Sequence, residues 1–454
     1  MDSVEQERPW KLASIWLMFL APFFFISYNF ANGLAANRQV AHIVFEWESH
    51  IPFVAWTILP YWSIDLLYGI SLFICATKLE LHNLGKRLFT AQVIAVTCFI
   101  LFPLGFSFTK PETQGLFGGL FAALAEFDQP YNQAPSLHIA LLIILWVHFP
   151  RHLNSVLIAP FHLLCILIAI SVLTTFQHHF IDVPTGALLG WLCIWLWPDS
   201  GVSAVKARIS SELEDTTEEA QRHRLSLCYL LGSAVLAVLA LSFQGWVLWL
   251  LWPSVSLLLV SMMYLKLGSS GFQKSEIGHM SSAAKWLLFP YLVCARINSR
   301  LWTRNVSHVS EIVDGVWIGR YPSAKDIEMN GYKTVIDMTA EFSAPRRLSN
   351  HVSWHSICNL DLLTPSSSAL KEAATLIEQA RARGPVLVVC ALGYSRSALA
   401  IISWLLMSGH AQTTEEAVAL LRTKRPSVVL KDSAQIRLTS LHDATMNQGT
   451  EYHG

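Results

Sequence analysis

Along the first 265 residues apolar side chains come in long unbroken blocks, whereas beyond about residue 306 they recur with the periods of strands and amphipathic helices. Crossing about 30 Å of hydrocarbon takes roughly 17 to 25 apolar residues. Blocks of that length lie near 12–31, 53–77, 88–108, 154–174, 226–243 and 246–265. Two shorter blocks, 136–150 and 183–197, open on polar motifs and are read as further spans whose outer turns line a site, which makes eight. The run LFGGLFAALAEF (116–127) is too short to cross and reads as an interfacial or re-entrant helix. In the C-terminal part VSEIVDGVWIG predicts a hairpin, YKTVIDMTA a strand, SSSALKEAATLIEQARARG a helix ended by Gly384, and VLVVC a short buried strand. SALAIISWLLMSG then predicts an apolar helix, and TTEEAVALLRTKRP a helix with an acidic first turn.

Composition agrees with this division. The chain is 53% hydrophobic and 14% charged, against about a quarter charged in soluble domains. Lys plus Arg and Asp plus Glu are both 32, so bulk charge gives no case for a nucleic-acid partner. The eight cysteines fall in apolar spans or in the C-terminal third, which disfavours a disulfide framework. No small-residue cleavage site follows the first apolar block, so it reads as an uncleaved span. Lys78, Lys86, Arg87, Arg151, Lys206, Arg208, Arg222 and Arg224 lie in segments that eight crossings put on one side, with everything after Lys266. That side is expected to be the cytoplasm of an inner (plasma) membrane protein, and the 32–52, 109–135 and 174–182 segments are expected to face away from it.

Those outer segments carry Lys110-Pro-Glu, PYNQAPSLHIA (130–140) and TTFQHHFIDVPTG (174–186). Ionisable groups at span ends are costly and mark a functional site. The residue types suit phosphoryl transfer through a phosphohistidine, with no metal or cofactor required. His178 is read as the nucleophile, Asp182 as the carboxylate that orients it, His138 as the general acid, and Lys110 with Ser136 as the phosphate clamp. His179 is the adjacent rival. Only His178 stands four residues before Asp182, on one face of a helical strip.

PSLH followed some forty residues later by HxxxD resembles the type 2 phosphatidic acid phosphatase (PAP2) superfamily over roughly residues 10 to 200. The resemblance implies a six-helix membrane core that cleaves phosphate from lipid phosphates. Leu137 stands where the family usually has glycine, and Val172 where it has arginine. These departures are shared with an inositol phosphorylceramide synthase-like branch, which implies head-group transfer as the alternative to hydrolysis.

The remaining chain divides into a charged loop with a two-span hairpin (201–266), an amphipathic linker (267–305), a soluble α/β domain (306–446) and a tail (447–454). The linker's Trp-bearing basic stretch WLLFPYLVCARINSRLW suits either the head-group level of a membrane or packing on the next domain. In VLVVCALGYSRS a buried strand runs into Cys390, and Arg396 opens the following helix. The loop Ala391, Leu392, Gly393, Tyr394, Ser395 can aim its amides inward at an anion, the helix start adds positive potential, and both suit a thiolate nucleophile. Arg396 would fork onto phosphate oxygens and Ser397 would hydrogen-bond the sulfur.

CALGYSRSA closely resembles the signature of the dual-specificity branch of the cysteine-dependent protein tyrosine phosphatases. That resemblance implies that Asp361, in NLDLLTP, is the mobile general acid. Val389 replaces the signature's histidine, which removes a supporting hydrogen bond and predicts slower catalysis. The expectation is an all-α polytopic membrane domain, a PAP2-like six-helix core plus a hairpin, followed by a soluble α/β dual-specificity phosphatase domain. Its expected substrates are a membrane lipid phosphate and, for the C-terminal domain, a phosphoinositide-like head group or a phosphoprotein. The competing expectation is that one module is degenerate and binds phosphate only to regulate the other.

Overall fold

The structure is a computed structural model and describes residues 8–126, 128–200, 216–243, 245–348, 351–431, 434–435 and 437–438. The charged loop at 201–215, the hairpin's Gln244 and the tail at 447–454 lie outside them. The chain forms two compact units, one of residues 1–205 with 239–249, the other of 206–238 with 250–454.

The first unit is helical: α1 (Trp10–Ala36), α2 (Ile58–Ile74), α3 (Lys78–Leu101), α4 (Gly115–Ala125), α5 (Leu137–His148), α6 (Ser155–Thr174) and α7 (Asp182–Leu196). Helices long and apolar enough to cross a membrane number six among the described residues of the chain. The segments at 137–151 and 182–196 are apolar but shorter. One boundary expected from sequence is corrected. The basic stretch 78–87, which falls between the spans expected at 53–77 and 88–108, is no connecting loop but the first part of α3, because the Thr77 hydroxyl caps Glu80 N–H and Leu81, Leu84 and Leu88 give it a buried face.

Helices α5 and α7 pack most closely. A Cβ on Gly186 would stand 2.4 Å from Ser136 O, and one on Gly190 2.7 Å from Ala140 O, so glycine is what lets the two backbones meet. Ser136 N–H donates to Asp182 O at 3.1 Å, which fixes the start of α5 against the start of α7. Gly186→Leu should therefore separate His178 from Ser136. Cross-linking of engineered cysteine pairs at the two helix starts would detect the separation.

The second unit holds α8 (Thr216–Phe243) up to residue 238, α9 (Leu251–Met262), α10 (Ser282–Leu287), α11 (Phe289–Trp302) and an α/β domain. Helices α8 and α9 are joined by reciprocal serine pairs: Ser226 and Ser261 donate to each other's carbonyls at 3.0 and 2.8 Å, and Ser233 and Ser254 do so at 2.8 Å. Small side chains that hydrogen-bond across a helix pair suit a bilayer, where apolar burial drives no association.

The sheet has the order β1-β2-β5-β3-β4 with β1 (Val309–Val313), β2 (Val316–Arg320), β3 (Thr334–Asp337), β4 (Ser353–Ser356) and β5 (Val386–Cys390). The β1–β2 pair is antiparallel and the others are parallel. Five consecutive buried residues, VLVVC, suit the central position of β5. Helices α13 (Ser367–Arg381) and α14 (Arg396–Met407) pack in the larger core with Ile336, Val386 and Val388. Tyr321, Phe342 and Trp354 gather with Leu387 and Val389 in a second core. Helix α12 (Ala324–Asn330) and α15 (Thr414–Lys424) complete the domain.

The stretch GSSGFQKSEIGHMSSAAK, which reads as linker, is instead built into this unit. The Lys274 side chain is fully buried and donates to Asp337 Oδ2 at 2.5 Å and to Thr339 O at 2.8 Å. Helix α11 packs on the domain through Ser299 and through Arg296, which lies over the rings of Tyr321 and Phe342. Its other face leaves Phe289, Val293, Ile297, Leu301 and Trp302 exposed, with Trp286 of α10.

Candidate active site

Strand β5 delivers Cys390 to the mouth of a loop that α14 closes at Arg396. Cys390 is 3% exposed, and its sulfur accepts from Gly393 N–H at 3.2 Å and Ser397 Oγ–H at 3.3 Å. Gly393 has φ +73°, and a Cβ there would meet the Gly319 backbone at 2.6 Å, so the turn needs glycine. The loop's carbonyls are taken up from outside. Arg425 Nε donates to Gly393 O at 2.8 Å, Ser299 Oγ to Ala391 O at 2.6 Å, and Val429 N–H to Tyr394 O at 3.0 Å. With carbonyls drawn outward, the loop can turn its amides toward an anion above the sulfur, as Gly393 N–H already turns toward the sulfur itself.

Arg396 is buried and engaged on every side. Its Nη2 and Nη1 fork onto Glu341 at 2.6 and 3.0 Å, Nη1 donates to Asn359 O at 2.9 Å, and Nη2 donates to Asp361 Oδ1 at 2.8 Å. Burial works against its charge, but the carboxylates of Glu341 and Asp361 hold its pKa well above the ordinary value. The guanidinium is thus a fixed cation.

Asp361 sits on a loop tied down from the hairpin. Tyr264 Oη donates to Asp361 O at 2.9 Å, while Gln221 Nε2 and Lys431 Nζ donate to Leu362 O at 2.7 and 2.6 Å. Leu362 adopts φ +60° within this anchored turn. Removing one such bond should loosen the Asp361 backbone at a cost of about 1 kcal/mol, about fivefold. Tyr264→Phe should therefore lower kcat on a monoester severalfold with KM little changed, as steady-state kinetics would read. Val389 is fully buried in the second core and offers the sulfur no hydrogen.

The sequence-predicted residues of the helical unit also converge. His178 Nδ1 pairs with Asp182 Oδ2 at 3.1 Å, and its Nε2 lies 3.1 Å from Ser136 Oγ. Asp182 Oδ2 also accepts from His179 N–H at 3.0 Å. His179 points elsewhere: its Nδ1 pairs with Glu48 Oε2 at 2.9 Å and its Nε2 lies 3.1 Å from Ser107 Oγ. His138 shares a cavity with His178, Tyr28, Tyr61 and Asp128, and its ring stacks on Tyr61 at 4.2 Å. Its Nε2 is buried without a hydrogen-bond partner among the described residues. Lys110 is not drawn into the cavity lining; it donates to Gln177 Oε1 at 2.8 Å, one residue from His178.

Sequence reading missed Glu48, Glu341 and Arg425, which hold other site residues in place. Glu341 follows a predicted strand end, a weak signal; nothing local marks the other two.

Residues 316–443 match the family model of the dual specificity phosphatase catalytic domain. Comparison with curated protein sequences finds no match. Among solved structures the chain is similar to PTPMT1, at 18% identity over 32% of this chain and 99% of that one, with TM-score 0.28. PTPMT1 has also been determined in complex with PI(5)P. Tk-PTP in the active form is 23% identical over 30% of this chain and 98% of that one, with TM-score 0.28. The human tyrosine phosphatase-like serine/threonine/tyrosine-interacting protein is 19% identical over 30% and 97%, with TM-score 0.28. The loop that closes on Cys390 lies inside the matched stretch, and the C-terminal part of the chain is a dual-specificity phosphatase catalytic domain, the machinery of a phosphoric monoester hydrolase.

Proposed function

We propose that the chain is an integral membrane phosphatase whose C-terminal domain hydrolyses phosphomonoesters on lipid head groups at the cytoplasmic surface. The observation that carries the proposal is the union of Cys390, Gly393, Ser397 and Arg396 in one anion cradle, with Asp361 beside it. Cys390 attacks phosphorus as the ester P–O bond breaks. Asp361, once substrate phosphate replaces it on Arg396 and it takes up a proton, gives that proton to the leaving oxygen and then, as carboxylate, takes one from the water that splits the cysteinyl phosphate. Arg396 and the loop amides stabilise charge that builds on the phosphoryl oxygens. Ser397 stabilises the departing sulfur.

A lipid rather than a phosphoprotein substrate is supported by the setting. The acid loop is bonded to Tyr264 and Gln221 of the apolar hairpin, and α11 contacts the cradle through Ser299 while presenting an apolar stripe outward. An exposed row of Val293, Ile297 and Leu301, with Phe289 half-exposed beside Trp252, suits a head-group layer. Phosphate release from a phosphoinositide should exceed that from a phosphotyrosine peptide when both are presented in mixed micelles. Equal or reversed preference would refute the lipid assignment.

The helical unit is read, in the same proposal, as a second phosphate centre of PAP2 type facing away from the cytoplasm. With Nδ1 committed to Asp182, His178 Nε2 is the attacking nitrogen and Ser136 stands beside it. His138 supplies the proton to the leaving alcohol. Head-group transfer is the second reading, favoured by Asp128: its carboxylate is held by Tyr28 and Tyr61 at 2.7 and 3.2 Å beside His138, and could receive the hydroxyl of an incoming head group. His178→Ala should abolish turnover of phosphatidic acid, falling at least about 10³-fold as nucleophile losses do. Analysis of lipid products separates free phosphate from a new phosphodiester.

A further inference from the structure

A second cluster of chemistry-bearing side chains stands at the other end of α5 from His138, ten residues or about 15 Å along the helix axis. The motif His148-Phe-Pro-Arg-His152 brings two imidazoles onto the first turn of α3, where Glu80 projects. His152 Nε2 lies 2.7 Å from Glu80 Oε1, and His148 Nδ1 lies 3.8 Å from the same oxygen. The ligand atoms of all three residues fall within 4.8 Å of one another.

The hydrogen bonds around this cluster point inward. Glu80 Oε2 is taken by Ala76 N–H at 2.8 Å, which turns Oε1 to the histidines. His148 is fully buried, and its Nε2 lies 3.3 Å from Ser71 O. A carbonyl can only accept, so that nitrogen carries the proton and Nδ1 is a lone pair. This lone pair has no hydrogen-bond partner among the described residues and faces a carboxylate oxygen, another acceptor. A buried lone pair and a partly buried carboxylate oxygen aimed at one point suit a cation between them. A histidine fixed by its far N–H on a backbone carbonyl is also the arrangement that presents imidazole to a metal. Arg151, the cation next in sequence, is turned away onto Asp199.

We propose that Glu80, His148 and His152 bind one divalent transition-metal ion, with Zn²⁺ the best fit. Two imidazoles and a carboxylate suit Zn²⁺ and exclude Mg²⁺ and Ca²⁺, which prefer oxygen. Tetrahedral bonds of about 2.0–2.1 Å put ligand atoms about 3.3 Å apart, and the observed 2.7 and 3.8 Å bracket that spacing. Glu80 and His152 are partly exposed, so water completes the shell. The ion ties the start of α3 to the end of α5, apart from the histidine cavity, and takes no part in phosphoryl transfer.

The test uses the full chain in detergent, purified through a tag without histidines, loaded with Zn²⁺ and stripped of loosely held metal by gel filtration. Elemental analysis should find about one Zn²⁺ per chain, and His152→Ala or Glu80→Gln should lower affinity by more than about 100-fold, beyond the cost of outer-shell changes. Co²⁺ loaded in place of Zn²⁺ should show the intense visible bands of tetrahedral coordination, an assay that needs no variant. A single symmetric gel-filtration peak and a helical circular-dichroism signal equal to wild type report that the helical unit of each variant is folded. A wild-type chain without bound Zn²⁺, or undiminished Zn²⁺ in both folded variants, overturns the proposal.

Discussion

Replacing Cys390 by serine will abolish hydrolysis of a soluble aryl phosphate by the full chain, with a loss of at least about 10³-fold in kcat and little change in fold. The expectation rests on the cradle's economy. The Gly393 amide and the Ser397 hydroxyl both spend their hydrogens on one sulfur. Serine is close in size, so the buried loop keeps its shape and the amides keep their aim. A hydroxyl in that position holds its proton, however, and neither the loop nor a neighbouring imidazole removes it, because Val389 occupies the preceding position. Phosphate binding should therefore survive the loss of turnover, and equilibrium titration with vanadate or phosphate would show it. Residual turnover within about tenfold of wild type would mean that another group attacks phosphorus.

Glu341→Ala will damage both stability and catalysis. Glu341 and Arg396 are each 3% exposed at the side chain, and Glu341 receives both terminal nitrogens of the arginine. Removing one member of a buried pair leaves the other's charge without compensation, at a cost of about 3–5 kcal/mol. Arg396 would keep only Asn359 O and Asp361 and would swing toward the acid. Thermal unfolding of the C-terminal domain should shift down markedly, and the surviving protein should lose kcat more than substrate affinity. Glu341→Gln, which keeps the shape and one acceptor, should recover part of both. Wild-type stability in Glu341→Ala would show that the guanidinium is held by its other contacts.

The cradle was legible because local chemistry writes it in one continuous stretch. Strand, cysteine, glycine turn and helix start all fall within VLVVCALGYSRS, and each has a short-range cause. What fixes the cradle from outside was not legible. Arg425, Ser299 and Tyr264 lie 32, 92 and, for the Asp361 carbonyl, 97 residues from the atoms they hold, and no periodicity links such distant positions. The same contrast holds in the helical unit. His178 and Asp182 stand four residues apart and were paired from spacing alone, while Glu48, 131 residues from His179, was not. Strand β4 escaped notice because SWHS has one buried apolar residue and no alternation, so only its pairing with β3 makes it a strand. The segment after Lys266 looked like linker because Gly and Ser dominate it. It is placed by the buried Lys274 side chain meeting Asp337 and by long-range backbone bonds from Ala344 and Ser356 to Gly278 and Glu276.

The direct test of two independent phosphate centres is a crossed assay of the full-length Cys390→Ser and His178→Ala proteins. Each would be given a soluble aryl phosphate and phosphatidic acid in micelles. The account predicts that Cys390→Ser loses only the first activity and His178→Ala only the second. Loss of both activities in either folded variant, or survival of phosphatidic acid turnover in His178→Ala, would contradict it.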